Sequence, residues 1–234
     1  MNKLLWYGYF LVFLIFNSVI VKVKHKILMR KSQKLADEYI YKSIKHFSDH
    51  ILKKSQTKVE AIGLCNIPKE PCVFVCNHQA IFDGFVLISN INKLTGFIAK
   101  KEITKLPLIR SWLSAIHSVF IDRNNIREGM KAINQGVQNI KDGYSLVIFP
   151  EGTRSLSSKM GEFKRGSMKL ATKAKVPIVP ITLDGTYRVL EVGNKVTGHK
   201  IKMVVHKPIY LDSLTELEKK NLSDNLHDLI ESAL

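Results

Sequence analysis

The chain has few cysteines and no segment of low complexity. Cys65, Cys72 and Cys76 are the only cysteines among 234 residues. An odd, sparse set in strand-like surroundings excludes a disulfide framework and favours reduced core residues of a cytosolic domain. No His or Cys cluster completes a ligand set, so no metal site is predicted. Without a Ser-, Gly- or Pro-rich linker or an internal repeat, we expect one domain, 57–234, with an N-terminal membrane-anchoring helical segment, 1–56.

Charge is absent from Leu4–Val21, and acidic residues are scarce in the stretch that follows. Between Lys22 and Lys58, eleven Lys or Arg stand against three acidic residues. This order is typical of a membrane anchor followed by a basic cytoplasmic segment that faces anionic lipid. A signal peptide is excluded, because Val-Lys-Val-Lys-His-Lys replaces the small residues of a cleavage site. As a helix, the 18 apolar residues reach roughly 27 Å, so a spanning helix and one lying in a single leaflet both stay open.

The next segment, from about Ile27 to Lys54, has helical composition and contains no Gly or Pro. Ile40, Ile44, Phe47 and Ile51 recur at spacings of three and four residues, which places one apolar stripe on a basic helix. Such a helix can pack on the folded domain or lie on a membrane. We expect the membrane surface.

The formal net charge of +16 requires a partner of opposite charge. Nucleic acid, an anionic bilayer surface and an acidic protein would each suit it. Because the positive charge is concentrated beside the apolar segment, an anionic membrane surface is favoured. No aromatic-basic recognition motif is present, so no nucleic-acid partner is expected.

Short β-rich runs alternate with helical ones from Lys58 onward, which predicts an α/β fold: a mostly parallel sheet of about seven strands flanked by helices. The predicted strands are Val59–Leu64, Cys72–Cys76, Gly96–Ala99, Ser118–Ile121, Leu146–Phe149, Ile178–Leu183 and Ile201–Val205. The predicted helices are Phe82–Lys93, Ile126–Lys141, Lys164–Lys173 and Ser213–Ser232. In this architecture the polar residues just past the carboxyl ends of the strands converge on the ligand site.

The first such strand end carries His78, with Asp83 five residues later where a helix should begin. A neutral imidazole can take a proton from an alcohol, provided that an acceptor such as a carboxylate holds its other ring nitrogen. The spacing alone is weak, because His117 and Asp122 repeat it. That second pair lies along a predicted strand, where an odd offset points two side chains to opposite faces, and it should not form a dyad.

Two further strand ends carry arginines. Ser118–Ile121 runs into Asp122 and Arg123, and Leu146–Phe149 runs into Pro-Glu-Gly-Thr-Arg-Ser, which contains Arg154. Guanidinium groups grip phosphate bidentately, and Gly152 permits close backbone approach to a ligand. A phosphate site at this edge of the sheet is therefore predicted.

Three segments occur here in the order seen in the glycerolipid acyltransferases: Asn77–Asp83, the Phe-Pro-Glu-Gly-Thr-Arg-Ser run from Phe149 to Ser155, and the Val-Pro-Ile-Val-Pro-Ile run from Val176 to Ile181. Between about Val73 and Thr182 the chain most resembles the 1-acylglycerol-3-phosphate acyltransferases of the PlsC type. Several ordered motifs make the resemblance specific, whereas any one would be a hint.

The resemblance implies a role for each matching residue. His78 would be the general base that deprotonates the glycerol 2-hydroxyl, oriented by Asp83, and the hydroxyl would attack an acyl thioester directly. Arg123, Arg154 and Lys100 would bind the lysophosphatidate phosphate. Acceptor binding would involve Glu151, Gly152 and Thr153, and Pro180 would shape the acyl-donor region.

The co-substrate would be acyl-CoA or acyl carrier protein, with no bound cofactor, and the catalytic domain would lie on the cytoplasmic face of the membrane. Alternative acceptors are glycerol 3-phosphate or a lysophospholipid with a head group. A non-enzymatic alternative is a basic membrane or nucleic-acid binder.

Overall fold

Two long helices precede the sheet in the computed structural model, which describes residues 1–164 and 166–234. Helix α1 is Lys3–Met29 and α2 is Gln33–Lys54. The strands are β1 Lys58–Ile62, β2 Val73–Cys76, β3 Thr95–Lys100, β4 Val119–Ile121, β5 Ser145–Ile148, β6 Ile178–Asp184 and β7 Lys200–Val205. The later helices are α3 Phe82–Asn90, α4 Pro107–Ala115, α5 Ile126–Lys141, α6 Lys169–Ala174, α7 Tyr187–Leu190, α8 Glu216–Lys220 and α9 Leu222–Glu231.

The seven strands form one sheet in the order β1-β7-β6-β2-β5-β3-β4. Strands β2 to β6 are all parallel, whereas β7 pairs antiparallel with β6 and parallel with β1. Every residue of β2 and β5 is buried. Their apolar runs fit this position, since parallel strands are covered by helices on both faces. The predicted α/β fold is confirmed.

Helices on each face of the sheet enclose a separate part of the core. Residues of α1 to α4 bury Phe74 of β2 on one face, whereas residues of α5, α6 and α9 bury Val73 and Val75 on the other. Each of the seven predicted strands is present with shifts of one or two residues at its ends. The division at residue 56 stays a prediction, and it lies in the short link between α2 and β1.

The predicted helices need several corrections. The predicted Phe82–Lys93 helix ends at Asn90 as α3, and the short helix α7 was not predicted. Helix α6 begins at Lys169 rather than Lys164, and Arg165 of that prediction lies outside the described residues. The predicted Ser213–Ser232 helix divides into α8 and α9 at Asn221. Helix α4 was not predicted, although Pro107 occupies its first turn, where the missing N–H of proline costs nothing.

The apolar stripe of α2 packs against the protein, so the expected location on the membrane surface is wrong. Ile40, Ile44, Phe47 and Ile51 are all buried in the core shared with α1 and α3. The stripe has the spacing needed for either environment. Only the tertiary fold decides, because α1 and α3 offer apolar surfaces to the same face.

Helix α1 has an apolar surface on both of its sides. Trp6, Leu14 and Val21 are buried against the protein, and Ser18 accepts a 2.7 Å hydrogen bond from Trp112 Nε1 of α4. The opposite side exposes a row of large apolar residues: Leu4, Leu11, Val12, Ile15, Phe16, Val19, Ile20 and Val23. Among the described helices, α1 is the one long and apolar enough to cross a membrane. The exposed row indicates membrane association.

The first turn of α1 is fixed to the loop before β7. Val196 N donates to Met1 O at 2.8 Å, and Lys3 N donates to Asn194 O at 3.2 Å. Asn2 caps the helix, because its side-chain oxygen accepts from Leu4 N. The helix is therefore held at its start as well as along one side.

Candidate active site

The carboxyl ends of the parallel strands place the candidate residues at one edge of the sheet. His78 follows β2, Lys100 ends β3, Arg123 follows β4 and Glu151 follows β5. Because β5 lies between β2 and β3, the loop after β5 is central in this group. The site predicted from the strand ends is thus formed by neighbouring strands.

His78 and Asp83 form a hydrogen-bonded pair across the turn that begins α3. His78 Nδ1 lies 2.7 Å from Asp83 Oδ2. The aspartate side chain is completely buried, whereas the His78 side chain is 22% exposed. Asp83 lies in the first turn of α3, where the helix dipole favours a negative charge. A carboxylate on Nδ1 fixes the tautomer that leaves Nε2 able to accept a proton.

Asp83 accepts two hydrogen bonds besides the one from His78. Ala80 N donates to Oδ2 at 2.9 Å, and the hydroxyl of Thr186 donates to Oδ1. Thr186 is buried and comes just after β6. Thr186 was not predicted, although its place at the carboxyl end of β6 is the feature that the other strand-end residues share.

The loop after β5 holds His78 from three directions. The Phe149 ring stacks on the imidazole, with centroids 4.0 Å apart and planes inclined by 17°. His78 N donates to Glu151 Oε1 at 2.6 Å, and Ser155 N donates to His78 O at 2.8 Å. The imidazole is therefore positioned by both its side-chain and its backbone contacts.

The Glu151 carboxylate faces the protein interior. Its second oxygen, Oε2, accepts from Gly161 N at 2.8 Å, so both oxygens bind backbone amides. Burial raises the pKa of this carboxyl, and the two amide hydrogen bonds counteract the increase. The predicted role of Glu151 in acceptor binding stays a prediction. Glu151 joins the His78 turn to the loop at Gly161.

Gly152 has a φ of 76°, the left-handed region that favours glycine. A Cβ at this position would lie 3.0 Å from Arg123 Nη1, 2.9 Å from Lys164 Cε and 3.0 Å from Lys164 Nζ. Two cations therefore cover one side of this glycine. The structure brings Arg123 and Gly152 together as predicted from the phosphate hypothesis. Lys164 was not predicted, because it lies nine residues beyond the end of the motif at Ser155 and no spacing rule connects them.

Arg154 and Lys100, the other two predicted phosphate ligands, contact carboxylates. Arg154 Nη1 lies 3.3 Å from Glu191 Oε1, at the end of α7, and Lys100 Nζ lies 3.1 Å from Glu102 Oε1. Both cations are more than a third exposed, and Thr153 is also exposed. The structure thus places these three residues around the site without joining them to the pair at Gly152.

Pro180 lies inside the sheet rather than at its edge. It is buried in β6 opposite Val75 of β2, and its carbonyl accepts from His206 N at 3.0 Å. Since residue 206 lies just beyond β7, the missing N–H of the proline interrupts no regular ladder at this point. Any influence on an acyl donor must pass through the position of β6.

The second His–Asp spacing belongs to a separate polar cluster. His117 Nε2 lies 2.9 Å from Asp37 Oδ1 of α2, whereas Asp122 binds Lys101 Nζ at 3.2 Å. Tyr144 stacks on His117 at a centroid distance of 3.6 Å and donates to Asp37 Oδ2 at 2.7 Å. His117 and Asp122 do not form a dyad, in agreement with the prediction.

Comparisons with known proteins identify the class. The sequence model of the family described as Acyltransferase matches residues 58–184. A Mycoplasma pneumoniae protein named probable 1-acyl-sn-glycerol-3-phosphate acyltransferase is 34% identical over 181 residues, which cover 72% of this chain and 68% of that protein. The chain therefore belongs to the acyltransferase family.

A plant relative and a solved structure extend the comparison. The chloroplastic 1-acyl-sn-glycerol-3-phosphate acyltransferase of Arabidopsis thaliana is 35% identical over 157 residues, which cover 65% of this chain and 44% of that protein. The crystal structure of the 1-acyl-sn-glycerophosphate acyltransferase PlsC from Thermotoga maritima superposes with a TM-score of 0.85 at 26% identity, covering 99% of this chain and 92% of that one. The resemblance in the sequence motifs thus extends to the whole fold, including α1 and α2.

Proposed function

We propose that the chain transfers a fatty acyl group from a thioester to the 2-hydroxyl of 1-acyl-sn-glycerol 3-phosphate. The observation that carries this proposal is the 2.7 Å contact between a fully buried Asp83 and a partly exposed His78. The names of the relatives supply the acceptor, and the cations beside Gly152 suit its phosphate.

In the proposed reaction, His78 Nε2 takes the proton of the 2-hydroxyl while Nδ1–H remains bonded to Asp83. The hydroxyl oxygen attacks the thioester carbonyl carbon and forms a tetrahedral oxyanion. The C–S bond then breaks, and the thiolate takes the proton from the imidazolium. The products are a diacylated glycerol phosphate and a free thiol. No acyl-enzyme is required, because the acceptor itself is the nucleophile.

The test compares the two histidines that share the same spacing to an aspartate. His78→Ala removes the base and should lower kcat by about 10²–10⁴-fold. Asp83→Asn offers one acceptor oxygen to the three donors His78, Ala80 and Thr186. It should lower kcat by a similar factor, because the carboxylate no longer fixes the tautomer of the imidazole. His117→Ala is the matched control and should keep full activity per folded molecule. Full activity of His78→Ala would remove the pair from the mechanism.

An acceptor and donor panel tests the substrates with the same preparations. Lysophosphatidate, glycerol 3-phosphate and lysophosphatidylcholine would each be supplied with acyl-CoA and with acyl carrier protein. We expect the highest kcat/KM for lysophosphatidate. A preference for one of the other acceptors would assign the chain to another acceptor class while leaving the base in place.

We further propose that α1 lies within one leaflet of an anionic membrane. Its inner side packs on α2 and α4 from Trp6 to Val21, and a helix docked along that length cannot cross the bilayer without its partners. Exposed basic residues follow the apolar row and suit anionic head groups: Lys22, Lys24, Lys26, Arg30, Lys31 and Lys34.

Vesicle flotation tests this location. Phe16→Glu places a charge in the exposed row and should reduce binding to vesicles of anionic lipid. Leu217→Glu changes an equally exposed apolar residue on α8 and should bind as the wild type does. Equal binding by both variants would contradict a contact through α1.

The catalytic domain is proposed to face the cytoplasm. Cys65 is exposed whereas Cys72 and Cys76 are buried, so a membrane-impermeant maleimide should report on Cys65. We expect labelling only after the cells are opened. Labelling of intact cells would place the domain on the outside.

A further inference from the structure

The loops after β4 and β5 bring two cations, Arg123 and Lys164, to one point beside Gly152. Among the described residues the carboxylate whose charge acts on Arg123 is that of Glu102, which forms its ion pair with Lys100. Arg123 Nη1 and Lys164 Nζ each lie 3.0 Å from the Cβ position of Gly152, so the two nitrogens are within about 6 Å of each other, a separation at which like charges repel. Within residues 1–164 and 166–234, neither side chain forms an ion pair. The neighbouring cations Lys100, Lys101 and Arg154 all do.

Both cationic groups can be reached by a ligand. Arg123 and Lys164 are exposed to solvent, yet the surrounding protein removes enough hydration from Arg123 to lower its pKa. An anion placed between the two nitrogens would relieve both the repulsion and the lost hydration. Because Gly152 has no side chain, both cations can approach its backbone from the same side, where a Cβ would displace them.

Lys164 is fastened to the loop that also positions the base. Lys164 N donates to Pro150 O at 3.0 Å, and Ser167 N donates to Lys164 O at 2.9 Å. Glu151 joins the same loop to the backbone of His78. In a glycerol phosphate the 2-hydroxyl and the phosphate are on adjacent carbons. A phosphate ligand must therefore belong to the same rigid unit as the base, and Lys164 meets this condition.

We infer that Lys164 and Arg123 together bind the phosphate of the acceptor. Lys164 thereby takes the place that the sequence pattern assigns to Arg154. This inference rests on the proposed function for the identity of the phosphate. Arg154 in this arrangement is bound to Glu191 and contributes less to the affinity for the acceptor.

The test uses variants that separate charge from shape. Lys164→Met keeps the apolar stem and removes the charge, Lys164→Arg keeps the charge, and Lys159→Met removes a charge from an exposed position in the same loop. Lys164→Met should raise KM for lysophosphatidate by about 10- to 100-fold, the range of one charge-assisted hydrogen bond, with a much smaller change in kcat. Lys164→Arg should recover most of this loss, and Lys159→Met should behave as the wild type.

Calorimetric binding separates this inference from the proposed function. Lysophosphatidate and 1-monoacylglycerol micelles are the two probes, and only the first should lose affinity in Lys164→Met. If Lys164→Met loses this affinity but the wild-type protein does not acylate lysophosphatidate, the result supports Lys164 as a phosphate ligand and refutes the proposed reaction. Lys164→Met could instead turn over lysophosphatidate normally, with KM and affinity equal to those of Lys159→Met. That result would refute Lys164 as a phosphate ligand and would not affect the proposed reaction. An equal loss of affinity for both probes would also overturn the inference, since the lysine would then act on the shape of the site.

Discussion

Replacing Glu151 with Gln should damage both the stability and the turnover of the protein. The carboxylate accepts from His78 N at 2.6 Å and from Gly161 N at 2.8 Å. A glutamine has one acceptor oxygen, so its NH₂ group must face one of these two N–H groups. One buried amide loses its partner, and the hydrogen bond that remains is no longer assisted by charge.

The magnitude follows from these two losses. An unsatisfied buried donor costs about 1–3 kcal/mol, and the weakening of a charged hydrogen bond to a neutral one costs about 1 kcal/mol more. We expect a net loss of about 2–4 kcal/mol, which corresponds to a decrease in Tm of about 4–16 °C for a chain of this size. Displacement of the His78 backbone should lower kcat by about 10²-fold, because the base no longer meets the hydroxyl in a reactive geometry.

The difference in Tm between the wild type and Glu151→Gln should depend on pH, and the pKa shift of Glu151 gives its direction. Burial holds the pKa of Glu151 above its usual value in the folded state, so the folded protein binds the proton more tightly than the unfolded chain does. The resulting stabilisation is complete below the unfolded pKa and is lost as the pH rises through the folded pKa. The glutamine variant lacks this change. The Tm of Glu151→Gln should therefore lie further below the wild-type Tm at a pH below the unfolded-state pKa of Glu151 than at a pH above its folded-state pKa.

Scanning fluorimetry and steady-state kinetics, both in the same detergent, measure these effects. Glu162→Gln is the matched control, since Glu162 is exposed in the same loop. A Glu151→Gln protein with the Tm and kcat of that control would refute the view that the carboxylate positions His78.

Three further predictions concern Thr186, Gly152 and His206. Thr186→Val removes the hydroxyl that donates to Asp83 Oδ1 and should lower kcat about 10-fold, whereas Thr186→Ser should retain it; equal kinetics of the two variants would contradict a role for the hydroxyl. Gly152→Ala must adopt a φ of 76° and pushes Arg123 and Lys164 aside, so Tm should fall by a few degrees and KM for lysophosphatidate should rise; an unchanged KM would place the phosphate elsewhere. Burial, followed by the charge of Lys202, lowers the pKa of His206, so its contribution to stability is complete above the unfolded pKa and is lost as the pH falls through the folded one. His206→Gln should flatten the decrease of Tm between about pH 7 and pH 5, and an unaltered decrease would assign it to other groups.

The sheet could be predicted from the sequence because its signals are local. Val73 to Val75 and Leu146 to Phe149 are continuously apolar and short, a pattern that a doubly covered parallel strand requires. The His78–Asp83 contact was also predictable, because both residues belong to one turn and depend on little else. Strand order, by contrast, depends on pairings between distant segments, and the central place of β5 could not be read from its own residues.

The environment of α2 and the partners of the cations could not be predicted for the same reason. The stripe at Ile40, Ile44, Phe47 and Ile51 has identical spacing whether it meets lipid or protein. Arg123 and Arg154 looked equivalent in the sequence, because each follows a strand end. Glu191 and Lys164 distinguish them, and both lie outside the segments whose motifs indicated the site.

The attachment of α1 at its first turn determines how deep the reaction centre sits in its surroundings. A helix tied by Met1 and Lys3 and packed along one side can neither roll about its axis nor swing outward. In the membrane location proposed for α1, the fold would therefore set the distance between the imidazole and the lipid carbonyls. With that location, bilayer thickness and head-group packing should alter turnover even though no residue of the site has changed.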